Sequence, residues 1–146
     1  QFGSEILLEM EIKSLEDEAV FKISKIVESC RPLKLEVTSS VPALFHAMFE
    51  LFPNDQRGLI FRSSLIESWM PQDFIVYLIS RHVAITKATV LHLELEQYFP
   101  ELIQELQSKG YRAHTHLGNA SKGVYEKVVE LGIDQCTVDD LGILDI

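Results

Sequence analysis

Positive charge is scarce in this sequence: 13 Lys and Arg stand against 22 Asp and Glu, a net charge of −9. Phosphate backbones and anionic membranes are held by clustered Lys and Arg, so this balance argues against a nucleic-acid or membrane-surface binder. It does not argue against a small anionic ligand, because a metal ion or a local lysine can reverse the field at one site. Long apolar runs are missing too. None approaches the roughly 18 residues that span a bilayer, so no transmembrane segment is expected. Cysteine is sparse, with Cys30 at the end of a predicted helix and Cys136 in a predicted strand. Two such residues make no disulfide framework; they are expected to be buried free thiols, which behave as small hydrophobes. A reducing, cytoplasmic setting is the corresponding expectation. No secretory signal is expected from the residues ahead of the first strand. There is a single Trp and no low-complexity stretch.

What is present is ordinary for one globular domain: 146 residues, 47% apolar and 24% charged, enough for a sizeable core. Gln1 to Ser4 reads as a remnant of cloning, leaving residues 5–146 as the domain.

The chain alternates short strands with amphipathic helices. Residues 6–13 alternate as a strand does, with Ile6, Leu8, Met10 and Ile12 on one face and Leu7, Glu9, Glu11 and Lys13 on the other. Ser14 then starts a helix, with acidic residues in its first turn and Val20, Ile23, Ile26 and Val27 as its apolar stripe. Pro32 closes the unit. The cycle repeats with strands at 33–38, 58–61, 88–93, 111–117 and 133–138. Between them lie helices opened by Pro42, at 72–83, at 100–109 and at 121–131. Gly110 and Gly132 supply the C-caps of the last two, and proline or glycine marks most other boundaries. The loosest stretch is residues 62–71. Trp69 in it could line a pocket mouth, but packing beneath its own loop is the expected role.

Six strands and five helices in strict alternation imply parallel strands joined by right-handed crossovers. An open doubly wound sheet and part of a barrel both fit. A central strand of an open sheet is covered on both faces and reads as almost wholly apolar. Residues 6–13 instead carry one polar face, as a barrel strand does when its inside approaches an active site at the C-terminal rim. Arg112, His114 and His116 likewise share one face. An edge strand of an open sheet would also alternate, so both architectures stay open on the pattern alone.

The sharpest local feature is Glu11-Ile12-Lys13. Two residues apart on a strand, Glu11 and Lys13 point the same way. A carboxylate there can hold a hard cation through oxygen, and a lysine beside it can neutralise a phosphate oxygen. A plain ion pair on a solvated strand face is the competing reading. Glu9, deeper on that face, is expected to be structural. His114 and His116, at i and i+2, could ligate a transition metal. Without a further His or Cys at a recognisable spacing, one beside the core and one lining a pocket is the expectation. His46, His82 and His92 read as ordinary helix, loop and strand residues.

Leu8 to Lys13 resembles the Asn-Ile-Glu-Ile-Lys strand of glycerophosphodiester phosphodiesterases. The resemblance runs on in order: Val37 to Ser40 with its following helix and Pro53, then residues 57–61, 102–110, 113–119 and 128–139. Colinearity over all six strands carries it. It implies a partial (β/α)8 TIM barrel in which these are the third to eighth strands. It implies hydrolysis of glycerophosphodiesters to an alcohol and glycerol 3-phosphate, a reaction of lipid metabolism, with Mg²⁺ or Ca²⁺ as divalent cofactor. Glu11 would then be a metal ligand and Lys13 the phosphate contact. The family's two histidines and its Glu-x-Asp pair belong to an opening segment with no counterpart here, so this chain alone is expected to be inactive. The exposed barrel edges would favour a homo-oligomer.

The pattern departs from the family at the rim. His116-Leu117-Gly118-Asn119 stands where the family has Trp-Thr-x-Asn, which makes His116 and Asn119 the candidate substrate-pocket residues. Ser40-Val41 replaces Ser-Phe, and Val138-Asp139-Asp140-Leu141 replaces Thr-Asp-x-Pro. An aromatic wall is lost and an imidazole takes its place. A non-catalytic barrel module serving interaction or sensing, and an unrelated doubly wound domain binding a small ligand, are the competing functions.

Overall fold

The structure is a computed structural model that describes residues 7–30 and 34–140. Ile6, Pro32, Leu33 and Leu141 lie outside the described residues, as do Gln1 to Ser4. The elements run β1 (Leu7–Glu11), α1 (Asp17–Cys30), β2 (Lys34–Ser39), α2 (Phe45–Leu51), β3 (Gln56–Ile60) and α3 (Gln72–Thr86). Then come β4 (Val90–Leu93), α4 (Pro100–Ser108), β5 (Arg112–Gly118), α5 (Lys122–Leu131) and β6 (Gln135–Val138).

Several boundaries have clear local causes. The Ser14 hydroxyl accepts from the Glu16 amide at 3.1 Å, a turn that delays α1 to Asp17. Pro42 opens a 3-10 turn, Pro42–Leu44, that feeds α2. Helix α3 runs three residues beyond the expected Val83 because its stop is Lys87, a non-glycine residue at φ 53°. No glycine or proline advertises that end, and the left-handed conformation is tolerated because it closes the last turn.

All six strands are parallel and hydrogen-bonded in the order β1-β2-β3-β4-β5-β6. A doubly wound sheet reverses its strand order partway along; this one does not, so that architecture is ruled out. Sequential order with right-handed crossovers puts the helices on one face. There Val37, Leu59, Leu91 and Ala113 pack beneath Val20, Met48, Ile79, Leu102 and Val128 in a continuous apolar core.

The other face curls into the wall of a half-barrel. Laid flat, six strands would hold β1 and β6 about 24 Å apart, at ~4.8 Å per strand. Instead the Thr137 hydroxyl on β6 reaches the Glu9 carboxylate on β1 at 3.3 Å. The two edge strands therefore face each other across the concave interior.

Three expectations fail on exposure. Ile26, expected on the apolar stripe of α1, is 63% exposed. Cys30 ends α1 as an exposed free thiol, in a last turn whose residues 28–30 are all exposed. Cys136 is half-buried, and burial raises its thiol pKa. Trp69 is 71% exposed and lines a shallow surface cleft with Pro71, Phe74 and Tyr77, so it does not pack beneath its loop. Among the described residues no helix is long and apolar enough to cross a membrane.

Candidate functional site

Alternation along the strands sends every second side chain into the concave face. On β2 that residue is Glu36, on β3 Gly58, on β4 His92 and on β5 His114. The layers of a barrel interior are usually filled by branched apolar residues. Here they hold charge and imidazole.

Glu36 is 1% exposed, so its carboxylate must be satisfied from within. His92 Nε2–H donates to its Oε1 at 2.6 Å. The Gln135 amide reaches Oε2 at 3.4 Å. The Gln56 amide, oriented to satisfy both its ends, donates to Oε2 at 3.1 Å and accepts from Arg112 at 2.8 Å. Three strands thus converge on one carboxylate.

Gly58 makes this possible. A Cβ there would lie 2.5 Å from both Glu36 Oε1 and His92 Nε2, and 2.6 Å from Thr38 Cγ2. The Glu36–His92 bond crosses β3 through the space a side chain would fill.

Beside it, His114 stacks edge-on to His92, with ring centroids 4.0 Å apart. His114 Nδ1 lies 3.1 Å from His92 Nε2, and His114 Nε2 lies 3.0 Å from the Thr137 hydroxyl. Burial, with His92 and His116 as like-charged neighbours, pulls the His114 pKa down to about 3. The ring is therefore neutral at pH 7. One assignment of protons satisfies the network: His92 Nε2–H points at Glu36, His114 Nδ1 keeps its lone pair, His114 Nε2–H donates to Thr137, and Thr137 donates to Glu9. Tyr98 fixes the strands behind: its hydroxyl lies 2.8 Å from the Leu91 carbonyl and 2.9 Å from that of His114, and accepts from the His114 amide at 3.1 Å.

Glu9 faces this pair from β1. Its carboxylate lies 3.8 Å from His92 Nδ1 and 3.9 Å from His114 Nδ1. Glu9, His92 and His114 each offer a ligand atom, all within 4.8 Å of one another, and could hold a metal ion.

The cluster forms the floor of an open cleft of about 980 Å³ at the C-terminal ends of the strands. Glu11, Arg62, Ser63, Ser64, Glu94 and His116 line its walls. Of the residues expected at the site, Glu11 and His116 line this cleft, while Lys13 and Asn119 lie beside it. Lys13 Nζ and Glu11 Oε2 pair at 3.3 Å, with side chains 79% and 40% exposed. Glu11 offers a hard oxygen donor, one ligand of the six or more that Mg²⁺ or Ca²⁺ takes. It fits as part of such a site, not the whole of one. His116 is exposed and stands 3.8 Å from Asp139, while Asn119 lies exposed just beyond β5.

The expectation for the paired histidines fits this arrangement: His114 is buried and His116 lines the cleft. Glu9, expected to be structural, and His92, expected to be an ordinary strand residue, both belong to this cluster. The signal for them was polar side chains at inward positions of otherwise apolar strands, as in Val90-Leu91-His92-Leu93 and Leu35-Glu36-Val37.

No family model and no curated protein matches the sequence. Solved structures do match it in fold. A protein from Galdieria sulphuraria, assigned as a glycerophosphodiester phosphodiesterase, superposes with a TM-score of 0.75 at 17% identity, over 96% of this chain and 56% of its own. A phosphodiesterase from Oleispira antarctica, solved with its product sn-glycerol-3-phosphate, gives 0.73 at 16% identity, over 94% and 55%. A type I 3-dehydroquinate dehydratase from Clostridium difficile gives 0.61 at 14% identity, over 90% and 61%. The chain spans a little over half the length of these proteins. The resemblance expected from the sequence is thus present in the fold, as part of a TIM barrel. At such identities it shows the fold alone, and the dehydratase is a reminder that this fold hosts unrelated chemistries.

Proposed function

We propose that this chain is part of a phosphodiester hydrolase acting on glycerophosphodiesters, releasing an alcohol and glycerol 3-phosphate. The observation that carries the reading is the Glu11–Lys13 pair. Its carboxylate lines a cleft at the C-terminal ends of barrel strands, where such barrels place their chemistry, and its ammonium pairs with that carboxylate from beside the cleft.

Glu11 would contribute one oxygen ligand to Mg²⁺ or Ca²⁺. Such an ion supplies charge neutralisation at the phosphoryl oxygens when bound. Lys13 would turn from Glu11 to a phosphate oxygen, a short swing for an exposed side chain. His116 and Asn119 would contact the substrate at the rim, with an imidazole where the resembling family has an aromatic wall. The groups that move protons to and from the reacting oxygens would come from outside these residues.

A non-catalytic barrel module is the second reading. It is favoured by the closure of Lys13 onto Glu11, which leaves the pair satisfied without any ligand. Turnover separates the two. The longer protein should release glycerol 3-phosphate from a glycerophosphodiester with Mg²⁺ or Ca²⁺, and lose that activity on chelation. The 146-residue chain alone should be inactive. Absence of cation-dependent turnover by the longer protein would leave the non-catalytic reading standing.

A further inference from the structure

The interior cluster has an organisation that neither an ion pair nor a buried polar contact requires. Two imidazoles and one carboxylate converge from three strands, and each ring is held at its far nitrogen. His92 gives its Nε2–H to buried Glu36 at 2.6 Å, which turns its Nδ1 towards Glu9 at 3.8 Å. His114 gives its Nε2–H to Thr137 at 3.0 Å, which leaves its Nδ1 lone pair between His92 Nε2 at 3.1 Å and Glu9 at 3.9 Å. A metal-binding histidine almost always donates its other ring N–H to a carboxylate or another acceptor, which sets its tautomer and orientation. Both histidines meet that requirement, and Gly58 clears the path for the shorter of the two bonds.

We propose that Glu9, His92 and His114 form a binding site for a divalent transition-metal ion of the zinc class, ligated by one carboxylate oxygen and two Nδ1 atoms, with Glu36 and Thr137 as positioning residues. The donor set decides the class. Two imidazoles and one carboxylate suit zinc and its neighbours, whereas Mg²⁺ and Ca²⁺ take oxygen. The spacing is close to what is needed. Ligand bonds of ~2.0–2.2 Å at tetrahedral angles put donor atoms about 3.3 Å apart; His92 Nδ1 faces Glu9 Oε1 and His114 Nδ1 faces Oε2, so the carboxylate has to close by roughly half an ångström and turn to present one oxygen to both rings. Glu9 can do so because its side chain is 34% exposed on the cleft side. A fourth position opens on the cleft. This site is distinct from the hard-cation role proposed for Glu11, in ligands and in preferred metal.

The test is a titration of the metal-stripped chain with Co²⁺, read by its visible absorption, followed by displacement with Zn²⁺. Wild type should bind one equivalent with the spectrum of a low-coordinate nitrogen–oxygen site and release it to zinc, with excess Mg²⁺ unable to compete. Glu9→Gln and His114→Gln should each weaken binding at least ~10-fold, and Glu36→Gln, which touches no metal, about 10-fold or more by freeing the His92 ring. Glu11→Gln should shift affinity less than about twofold. Circular dichroism of the exposed-side variant Glu9→Gln guards against loss of binding through unfolding. Failure of wild type to bind stoichiometrically would overturn the inference, as would unchanged affinity in a folded Glu9→Gln or equal loss in Glu11→Gln. Zinc binding by the chain, with no cation-dependent phosphodiester turnover by the longer protein, would sustain this site and sink the hydrolase reading; turnover by the longer protein without zinc binding by the chain would do the reverse.

Discussion

The rim and the floor of the cleft contrast in how firmly the fold holds them. At the rim, Glu11 and Lys13 meet only across 3.3 Å of largely exposed surface. Their spacing of two residues along extended chain is enough to bring such a pair together, and among the described residues no other ion pair holds them there. On the floor, Glu36 is buried and collects donors from β3, β4 and β6, and each histidine is held through its Nε2–H, His92 by Glu36 and His114 by Thr137. Residues tied loosely are free to exchange partners with a ligand; residues tied on every side hold a geometry in advance of one. The difference assigns adaptability to the rim and preorganisation to the floor.

The largest expected effect comes from removing the centre of the floor. Glu36→Ala leaves the His92 and Gln56 donors buried without an acceptor, and each unsatisfied donor costs about 1–3 kcal/mol. Thermal unfolding followed by circular dichroism should show a fall of roughly 10 °C or more. A loss below about 1 kcal/mol would mean that the floor is not held as described. Gly58→Ala probes the same bond from the side. Its Cβ meets Glu36 and His92 at 2.5 Å, and overpacking of this kind costs about 1–3 kcal/mol. A neutral Gly58→Ala would show that the bond can be displaced at little cost. The smallest effect belongs to the rim: Glu11→Ala or Lys13→Ala should move stability by no more than about 0.5 kcal/mol, as exposed ion pairs do. A larger loss at the rim than on the floor would invert the comparison.

Much of the fold was legible in the sequence because the elements are punctuated locally. Pro100, Gly110 and Gly132 mark helix ends by their own backbone chemistry, and the strands between them are short and apolar. Where the punctuation is absent, as at Lys87, the boundary drifted. The barrel itself was legible only in part. The alternating face of residues 6–13 suits a curled or an open sheet alike, and it is the meeting of Glu9 with Thr137, 128 positions along the chain, that decides. The rim pair was legible because Glu11 and Lys13 are neighbours in sequence. The floor was not, because its contacts join residues 56 and 99 apart. Strand alternation says that Glu36 and His92 point inward; it does not say that they point at each other. Nor does any periodicity distinguish Gly58, whose role is an absent side chain.

The proposal that chemistry rides on the rim is tested most directly by Glu11→Gln in the longer protein, with turnover of a glycerophosphodiester and thermal stability measured on the same sample. The account predicts that kcat/KM falls at least ~100-fold, the scale of losing one electrostatic stabiliser of a transition state, while the melting temperature stays where it was. A Glu11→Gln variant that keeps full turnover would contradict it.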